Sequence, residues 1–357
     1  MKLRNEVYLL FAGILASLHV GYAQSFIRDY NFSNVGMTFL SVSTDARSGG
    51  MGELGVATLP DCYSHQQNAA KYLFIDSRHK GGINLFYVPW LRKLVDDMSI
   101  AGISAYYKIG PLHGVSASFR YFSLGGLQKT DENMQALGED TPHEVAFDVA
   151  YARRLGEYFS MSVAFRLAVS DIVRNYRKAH AVACDLCGYY ERLFYTDKIA
   201  YKLGVGFALS NIGDKIEYGP VDKLFLPSDL KMGVNWSGTF ARWHGLSAGV
   251  EGGKYLVASG ENNRDNSVLK NIGSAFAAGE IHRVYWKTGL EYNFHELLFG
   301  RVGYYHEGKS GLQRQYMTFG AGICFMRIHF DVACLVPQSR RNHPMDNTFR
   351  LSAGMSF

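Results

Sequence analysis

After Ala23 the sequence lacks any apolar run long enough to cross a membrane as a helix. A membrane-spanning helix needs about 20 consecutive apolar residues, whereas polar and charged residues interrupt the later stretches. The mean hydropathy is close to neutral, at -0.09. Insertion into a membrane through apolar helices is therefore excluded for this part of the chain.

The sequence also lacks a polybasic block. Its 37 lysines and arginines and 32 acidic residues give a formal net charge of +5, but the basic residues are scattered along the chain. A protein that binds nucleic acid concentrates its basic residues on one surface or in one segment. The charge pattern therefore does not indicate a nucleic-acid partner.

Motifs that carry catalysis are missing or incomplete. "HELLF" at 295–299 has no second histidine to complete the zinc-binding H-E-x-x-H, and no G-x-S-x-G nucleophile motif occurs. We therefore expect that the protein is not an enzyme, and we expect no catalytic residue, no metal and no cofactor.

Cysteine is scarce, with five in the chain, and only Cys184 and Cys187 form a C-x-x-C pair. No second C-x-x-C and no paired histidines follow at zinc-finger spacing. The pair lies in a segment, 171–187, that we predict to be a loop. An oxidising, extracytoplasmic environment would favour a local Cys184–Cys187 disulfide. The remaining cysteines are expected to be isolated small apolar residues: Cys62, Cys324 and Cys334.

The N-terminus has the features of a secretory signal peptide. Lys2 and Arg4 precede an apolar stretch from 7 to 20, and "GYA" at 21–23 fits a small-x-small cleavage site. Residues 1–23 are therefore predicted to direct export and to be removed.

Glycine and aromatic residues are abundant: the chain has 38 glycines, 23 tyrosines and 23 phenylalanines against only 8 prolines. Closed membrane β-barrels have this composition, because aromatic girdles mark both membrane interfaces and polar luminal residues alternate with apolar ones. The composition therefore favours an outer-membrane barrel over a soluble exported domain.

Apolar residues recur with a period of two, as expected for strands with two different faces. The run 159–170 alternates large apolar with small or polar residues, and 145–151, 199–209 and 284–294 do the same. The opposite faces of these runs carry charged residues: Asp148, Lys202, Arg283, Lys287 and Glu291. In a membrane barrel such residues line the lumen.

The alternation predicts an all-β fold of fourteen antiparallel transmembrane strands. They are expected at about 81–90, 97–109, 113–124, 143–155, 157–170, 188–196, 199–210, 228–238, 243–256, 281–295, 297–307, 314–326, 327–337 and 347–357. Short and long connections alternate between them, which is typical of a barrel with short periplasmic turns and longer outward loops. Arg340 and Arg341 then fall in an outward loop, where they could meet anionic lipopolysaccharide, although solvated loop charge is the simpler explanation.

"SGGMGELGVAT" at 48–58 contains the spacing G-x-G-x-x-G, which also occurs in dinucleotide-binding folds. The context disagrees with that function, because "STDARSG" separates the glycines from the preceding β-like run and Pro60 would interrupt the helix that must follow. If the barrel occupies 81–357, residues 24–80 form an N-terminal segment that enters the lumen, which we call the plug. Glycines there would allow tight bends, and Asp45 and Arg47 could pair with opposite charges of the barrel such as Lys202 or Asp148.

Several stretches in this order resemble the PorV family, outer-membrane barrels of the type IX secretion system of Bacteroidetes. They are "FLSVSTDARSGGMGELGVAT", "QNAAKYLF", "YVPWLRKLVDDMSIAGISAYYK", "SASFRYFSLGGLQKTDEN" and "ALSNIGDKIEYG". The resemblance implies a FadL-like barrel, that is, a fourteen-stranded barrel of the long-chain fatty acid transporter type. The N-terminal motif residues that we assign to the plug are Asp45, Arg47, Gly49, Gly50, Met51, Gly52 and Gly55.

The resemblance also implies partners. A family member collects cargo proteins with C-terminal secretion signals from a giant translocon of the Sov or SprA type. It delivers them to an attachment complex that contains a PorU-like sortase. As an integral barrel it also contacts outer-membrane lipid and lipopolysaccharide.

Two outward loops, 91–96 and 125–142, mix leucines with charged residues, as expected for reversible protein contact. The residues expected to bind partners are Trp90, Leu91, Arg92, Leu94, Leu127, Gln128, Lys129 and Asp131. The alternative function is FadL-like transport of a small hydrophobic molecule through the lumen. The charged inward residues Lys202, Arg283, Lys287 and Glu291 argue against such transport, because it requires an apolar path.

Overall fold

A computed structural model describes most of the chain from residue 35 to the C-terminus. The described ranges are 35–90, 97–130, 136–172, 178–196, 200–218, 223–241, 243–257, 266–276, 284–308, 314–338 and 348–357. The predicted signal peptide lies outside them and stays a prediction. The helices in these ranges are all too short or too polar to cross a membrane.

Fourteen of the strands in the described ranges form one closed antiparallel barrel. The barrel strands are β1 (Gly81–Pro89), β2 (Met98–Lys108), β3 (His113–Leu124), β6 (His143–Arg154), β7 (Phe159–Asp171), β8 (Ala179–Tyr195), β9 (Ala200–Gly213), β12 (Asp229–Phe240), β13 (His244–Tyr255), β14 (Val284–Phe294), β15 (Leu298–Glu307), β16 (Gln315–Phe325), β17 (Ile328–Pro337) and β18 (Phe349–Ser356). Each barrel strand pairs with the barrel strands that precede and follow it along the chain, and β1 pairs with β18 to close the sheet. The predicted all-β, fourteen-stranded fold is confirmed.

The connections alternate in length as predicted. Tight connections such as Leu155–Tyr158 and Met326–Arg327 lie at one end, and the long ones lie at the other. Two long connections contain hairpins of their own, β4 (Leu127–Thr130) with β5 (Ala136–Asp140) and β10 (Ile216–Glu217) with β11 (Lys223–Leu224). The segment 125–142, predicted as a loop, therefore includes strands.

The period-two alternation determines which side chains point outward from the barrel and which point into the lumen. On β7, Val163, Phe165 and Leu167 are 40%, 66% and 57% exposed on the outer face, whereas Ser160 and Ser162 face inward and are buried. Exposed aromatic residues occur near both ends of the outer face: Tyr87, Tyr121 and Trp286 at the long-loop end, and Tyr107, Tyr151 and Tyr292 at the short-turn end. An apolar band between two aromatic girdles is typical of a transmembrane barrel.

Residues 35–80 form the described part of the plug. They contain two α-helices, Ala46–Gly50 and His65–Asn68, and two 3-10 helices, Thr38–Ser41 and Ala69–Phe74. Asp45 and Asn68 start elements here by accepting backbone hydrogen bonds from residues just inside them. The side chains of this segment meet inward-facing residues of the barrel.

The plug runs from the long-loop end of the lumen to the short-turn end. Near its start, Val35 bridges Phe225, a residue of the long β9–β12 connection. At its end, the amides of Lys80 and Gly81 donate to the carbonyl oxygen of Phe357, at 2.6 and 2.9 Å, where β18 finishes beside the tight turns. The largest apolar cluster lies at the long-loop end, so the lumen has an apolar part as well as a polar one.

Candidate functional site

The short helix Ala46–Gly50 sits against the wall near β16–β18 and is held at its first turn. Asp45 caps it, with Oδ1 accepting a hydrogen bond from the Ser48 amide at 2.7 Å. The Ala46 amide donates to Ser352 Oγ of β18 at 2.9 Å. Asp45 therefore fixes the start of the helix and is itself buried.

Arg47 joins the plug to the barrel and also joins two parts of the plug to each other. Its guanidinium donates to both carboxylate oxygens of Glu291 on β14, at 3.0 and 2.8 Å. It also reaches Asp61 of the plug at 2.5 Å and the Leu59 carbonyl oxygen at 3.1 Å. Arg47 therefore links Asp61 of the plug to Glu291 of the barrel wall.

The predicted barrel partners of these plug charges were wrong. Lys202 or Asp148 was expected, but Lys202 pairs with Glu191 at 2.8 Å and Asp148 pairs with Arg166. The strand sequences show that these side chains face the lumen. The height and direction at which the plug passes each strand decide which of them it meets.

A second network fixes the turn that follows the helix. Glu251 of β13 accepts hydrogen bonds from the amides of Gly55 and Val56, both at 3.0 Å. Lys287 of β14 pairs with Glu251 at 2.8 Å and donates to the Glu53 carbonyl oxygen at 3.1 Å. Buried charges are stable when they are paired and hydrogen-bonded in this way.

Glu53 extends the same network to β18, where its carboxylate pairs with Arg350. From the plug itself, Lys71 Nζ donates to the Gly55 carbonyl oxygen at 2.8 Å and to Thr58 Oγ1 at 3.0 Å. Glu53, Lys71 and Arg350 were not identified from the sequence. Arg350 could have been found, because it is a charged residue at an inward position of an alternating strand. The sequence contains no comparable signal for Glu53 and Lys71.

The glycines of 48–58 make close contacts between the plug and the wall. A β-carbon on Gly50 would lie 2.9 Å from the Gly320 Cα of β16, and one on Gly52 would lie 2.7 Å from the Tyr304 backbone of β15. Among these glycines Gly52 has a positive φ, +70°. The expected role in bends thus applies to Gly52, and close approach explains Gly50.

The remaining motif residues have similar surroundings. A β-carbon on Gly49 would meet the Arg350 side chain, and one on Gly55 would overlap the side chain of Gln67. Met51 is buried, and its carbonyl oxygen lies beside Gly289 of β14. All seven motif residues are therefore placed by contacts inside the lumen.

Little space remains in the lumen. The polar cavity between the plug and the long-loop end has a volume of about 40 Å³, enough for a few water molecules. On the other side Met37, Phe39 and Leu40 pack against inward apolar residues such as Ile100 and Phe122. The described plug residues therefore fill much of the lumen, and this polar cavity does not admit a hydrophobic molecule of appreciable size.

The residues predicted to bind partners lie only partly within the described residues. Trp90 is half-buried and packs against two apolar clusters, and its amide donates to the Met98 carbonyl oxygen at 2.9 Å. Leu127, Gln128 and Lys129 belong to β4. Those that lie outside the described residues are Leu91, Arg92, Leu94 and Asp131. A binding role for this set stays a prediction.

The C-x-x-C pair is not in a loop, and its disulfide is not formed. Both residues lie in β8, where Cys187 is buried toward the lumen and Cys184 has the opposite orientation. Their thiols are free. Residues three apart on an extended strand are about 10 Å apart, beyond the roughly 7 Å between α-carbons that a disulfide can bridge.

Inside the barrel, the charged groups are engaged with one another and with the plug backbone. In the residues that the structure describes, histidine, cysteine and acidic side chains do not form a group of three suited to a metal ion. Such an arrangement can hold a segment in place.

Together the closed fourteen-stranded barrel, its two girdles and its filled lumen define an integral barrel of the bacterial outer membrane. A family model described as "Type IX secretion system protein PorV" matches residues 28–262. The chain belongs to the PorV family. It is therefore an outer-membrane component of the type IX secretion system, and the short turns face the periplasm.

The solved structures that this barrel resembles are of the FadL-like class. A crystal structure of the toluene transporter TodX of Pseudomonas putida matches with a TM-score of 0.52 and 11% identity, covering 88% of this chain and 98% of that one. The deltaS2 mutant of the TodX monoaromatic hydrocarbon channel matches with a TM-score of 0.51 and 12% identity, covering 87% and 98%. At this identity the likeness concerns the fold alone. No curated protein matches the chain significantly.

Proposed function

We propose that this protein is a non-enzymatic cargo adaptor of the type IX secretion system. It binds cargo that carries a C-terminal secretion signal, receives it from the giant Sov- or SprA-like translocon and passes it to the attachment complex with the PorU-like sortase. The family supports a place in this system. The main observation behind this proposal is that the plug fills the lumen. A secretion component with a filled lumen is expected to act by binding partners.

The outer rim is the part of the molecule available for this binding. The β4–β5 hairpin forms a small sheet separate from the barrel, within the long connection between β3 and β6. Its sequence combines Leu127 with Lys129, and the tip carries further charges. We propose this hairpin, together with loop 91–96 and Trp90, as the contact surface for cargo or translocon.

The alternative, transport of a small hydrophobic molecule, has support only from the shared fold. A transporter needs an apolar path through or out of the lumen. Here the polar cavity of about 40 Å³ is lined by charged residues that include Arg120, Asp229 and Lys231. The adaptor function is therefore the better explanation.

The test removes the hairpin without removing the barrel. Residues 128–139 are replaced with Asn-Gly, so that a short turn joins Leu127 to Asp140, which already face each other in the ladder. We expect a folded, heat-modifiable barrel and accumulation of cargo in the periplasm or at the translocon. A matched control shortens 339–347, in the loop between β17 and β18, and should leave surface display unchanged.

Surface display at the normal level by the hairpin variant, with the barrel shown to be present, would contradict the adaptor proposal for this surface. Co-purification of the wild-type protein with translocon and cargo, lost in the hairpin variant and kept in the control, would support it. Failure of both variants to display cargo would point to a general requirement for intact loops and would count against a specific role of the hairpin.

A further inference from the structure

The long connection between β13 and β14 contains a helix, Val268–Ala275, with an unusual distribution of side chains. Ser267 caps its start, with Oγ accepting a hydrogen bond from the Lys270 amide at 3.4 Å. Leu269 is 80% exposed, and Phe276, at its C-terminal end, is 50% exposed. Exposed apolar side chains that lie together on one surface can mark a binding or membrane-contact site.

The helix has three distinct sides. Asn271 and Ala275 are each 1% exposed, so this side faces the protein. Leu269, Ile272 and Phe276 follow the spacing i, i+3, i+7 and form one apolar stripe. Lys270 and Ser274 occupy the remaining side. With about 100° between successive residues, the apolar stripe and the polar side lie on opposite flanks of the buried side.

The C-terminal end of the helix lies beside an outward-facing residue of the barrel wall, Lys254. Lys254 has the orientation of Val250 on β13, which is 59% exposed, yet Lys254 is only 9% exposed. The ring of Phe276 lies 5.7 Å from the Lys254 ammonium. A residue whose position on the strand directs it away from the lumen thus has Phe276, at the end of this helix, beside it.

The height of this contact matches the outer membrane interface. Gly252, two residues before Lys254, pairs with Trp286 of β14. The Trp286 ring lies 5.3 Å from the Tyr304 ring, and these aromatics belong to the girdle at the long-loop end. Two residues of strand correspond to about 7 Å. The C-terminal end of the helix therefore lies just beyond the girdle that marks the outer leaflet.

We propose that this helix is an interfacial anchor that lies on the outer leaflet of the outer membrane. Its apolar stripe of Leu269, Ile272 and Phe276 enters the boundary between acyl chains and headgroups, and Phe276 is the member of the stripe that lies beside the wall. Lys254 of the wall lies beside Phe276 of this stripe, and Lys270 is on the polar flank that faces water. A helix this short needs the covalent tether at both ends, which the barrel supplies.

Lipid is the expected partner of this stripe because the helix has the three sides that an interfacial helix needs. One flank is dry against the protein, one is apolar at membrane height, and the third is polar toward water. The inference depends on the outer-membrane location alone and is independent of cargo binding. Loss of the anchor and loss of the adaptor function would therefore appear in different experiments.

The test measures where the two flanks lie in a membrane. A nitroxide label is attached to Leu269→Cys or to Lys270→Cys, in a protein whose partly exposed cysteines are replaced with alanine: Cys184, Cys324 and Cys334. The labelled proteins are placed in vesicles of phosphatidylcholine and phosphatidylglycerol. Collision with oxygen, which partitions into lipid, is compared with collision with a water-soluble nickel complex.

We expect the label at 269 to collide severalfold more with oxygen than with nickel, and the label at 270 to show the reverse. Phe276→Cys is a second probe of the apolar stripe and should behave like 269. Equal nickel accessibility at 269 and 270 would overturn the proposal and would indicate a stripe left open for a protein partner. Protection of 269 from both reagents would also overturn it, because it would mean burial against protein. Only heat-modifiable, folded samples are compared.

Discussion

Gly52 of the plug and Gly303 of β15 lie backbone against backbone, so that a β-carbon on Gly303 would overlap the Gly52 amide. The Gly52 amide also donates to Thr318 Oγ1 of β16 at 2.8 Å. Neighbouring contacts repeat the arrangement, with Val56 against Gly206 of β9 and Met51 against Gly289 of β14. The plug thus runs along a row of wall glycines that allow its main chain to reach the sheet.

Adding side chains at this contact should destabilise the protein. Gly52→Val places a β-branched residue at a φ of +70°, and Gly303→Ala inserts a methyl group into the plug backbone. We expect each to cost about 1–3 kcal/mol, measured as a lower temperature of heat modification and a lower folded yield. We expect NAD to protect neither the variants nor the wild type, because contacts between the plug and the barrel wall explain the glycines of the motif.

Gly300→Ala is the matched control on the same strand. Gly300 faces outward, and a β-carbon there would meet no atom within 4 Å. It should leave the stability unchanged. Equal effects at 300 and 303 would show that any glycine substitution in β15 is harmful, and saturable NAD binding would contradict the structural explanation of the motif.

The Arg47 contacts give a second prediction. Arg47→Ala leaves the buried Glu291 carboxylate without one of its two cationic partners, Arg301 remaining at 2.6 Å. Breaking a buried pair in this way costs about 3–5 kcal/mol. We expect a correspondingly lower urea midpoint and faster proteolysis of the plug. Arg78→Ala serves as the control, because Arg78 pairs with Asp76 on the surface and should matter little. A small effect at Arg47 would mean that the plug is held by packing alone.

The strands were predictable from sequence because lipid and lumen impose opposite chemistry on alternate residues. All fourteen predicted strands correspond to observed ones. Counting the strands also predicted correctly which connections are short and which are long. The start of β8 was missed because Ala179, Ala181 and Ala183 fill its inward positions, and small residues give little contrast with the outward His180 and Val182. The strand is also irregular between Cys184 and Leu186.

The contacts of the plug were not predictable in the same way. Sequence indicated that Asp148, Lys202 and Glu291 face the lumen, and the plug motif was assigned to the same space. The pairing of Arg47 with Glu291 depends on the course of an irregular segment through the barrel. No periodic pattern describes that course, since its contacts join residues at very different separations in sequence, for example 22 positions between Cys62 and Asn84 and 244 between Arg47 and Glu291.

Alternation on β7 allows the two faces to be tested directly. Val163 is 40% exposed on the outer face, and its neighbour Ala164 points toward the plug. Val163→Arg should cost about 2–4 kcal/mol in a membrane and impair assembly, because an arginine at mid-strand faces hydrocarbon. Ala164→Ser should be tolerated, since a hydroxyl in the lumen can find a partner. Folded yield in outer membranes and the heat-modification temperature measure both. Equal tolerance would mean that the faces are reversed.

The last prediction concerns conduction. The wild-type protein in a planar lipid bilayer should show no stable ion conductance, because the plug fills the lumen and the cavity beside it holds only about 40 Å³. In samples that still fold, Gly303→Ala weakens the contact between the plug and β15 and should allow brief conductance events. Gly300→Ala should show no conductance, like the wild type. Insertion is verified for each sample by the amount of barrel recovered from the membrane. A large steady conductance in the wild type would show that the plug leaves an aqueous path, and would favour a transport function over one exercised at the outer rim.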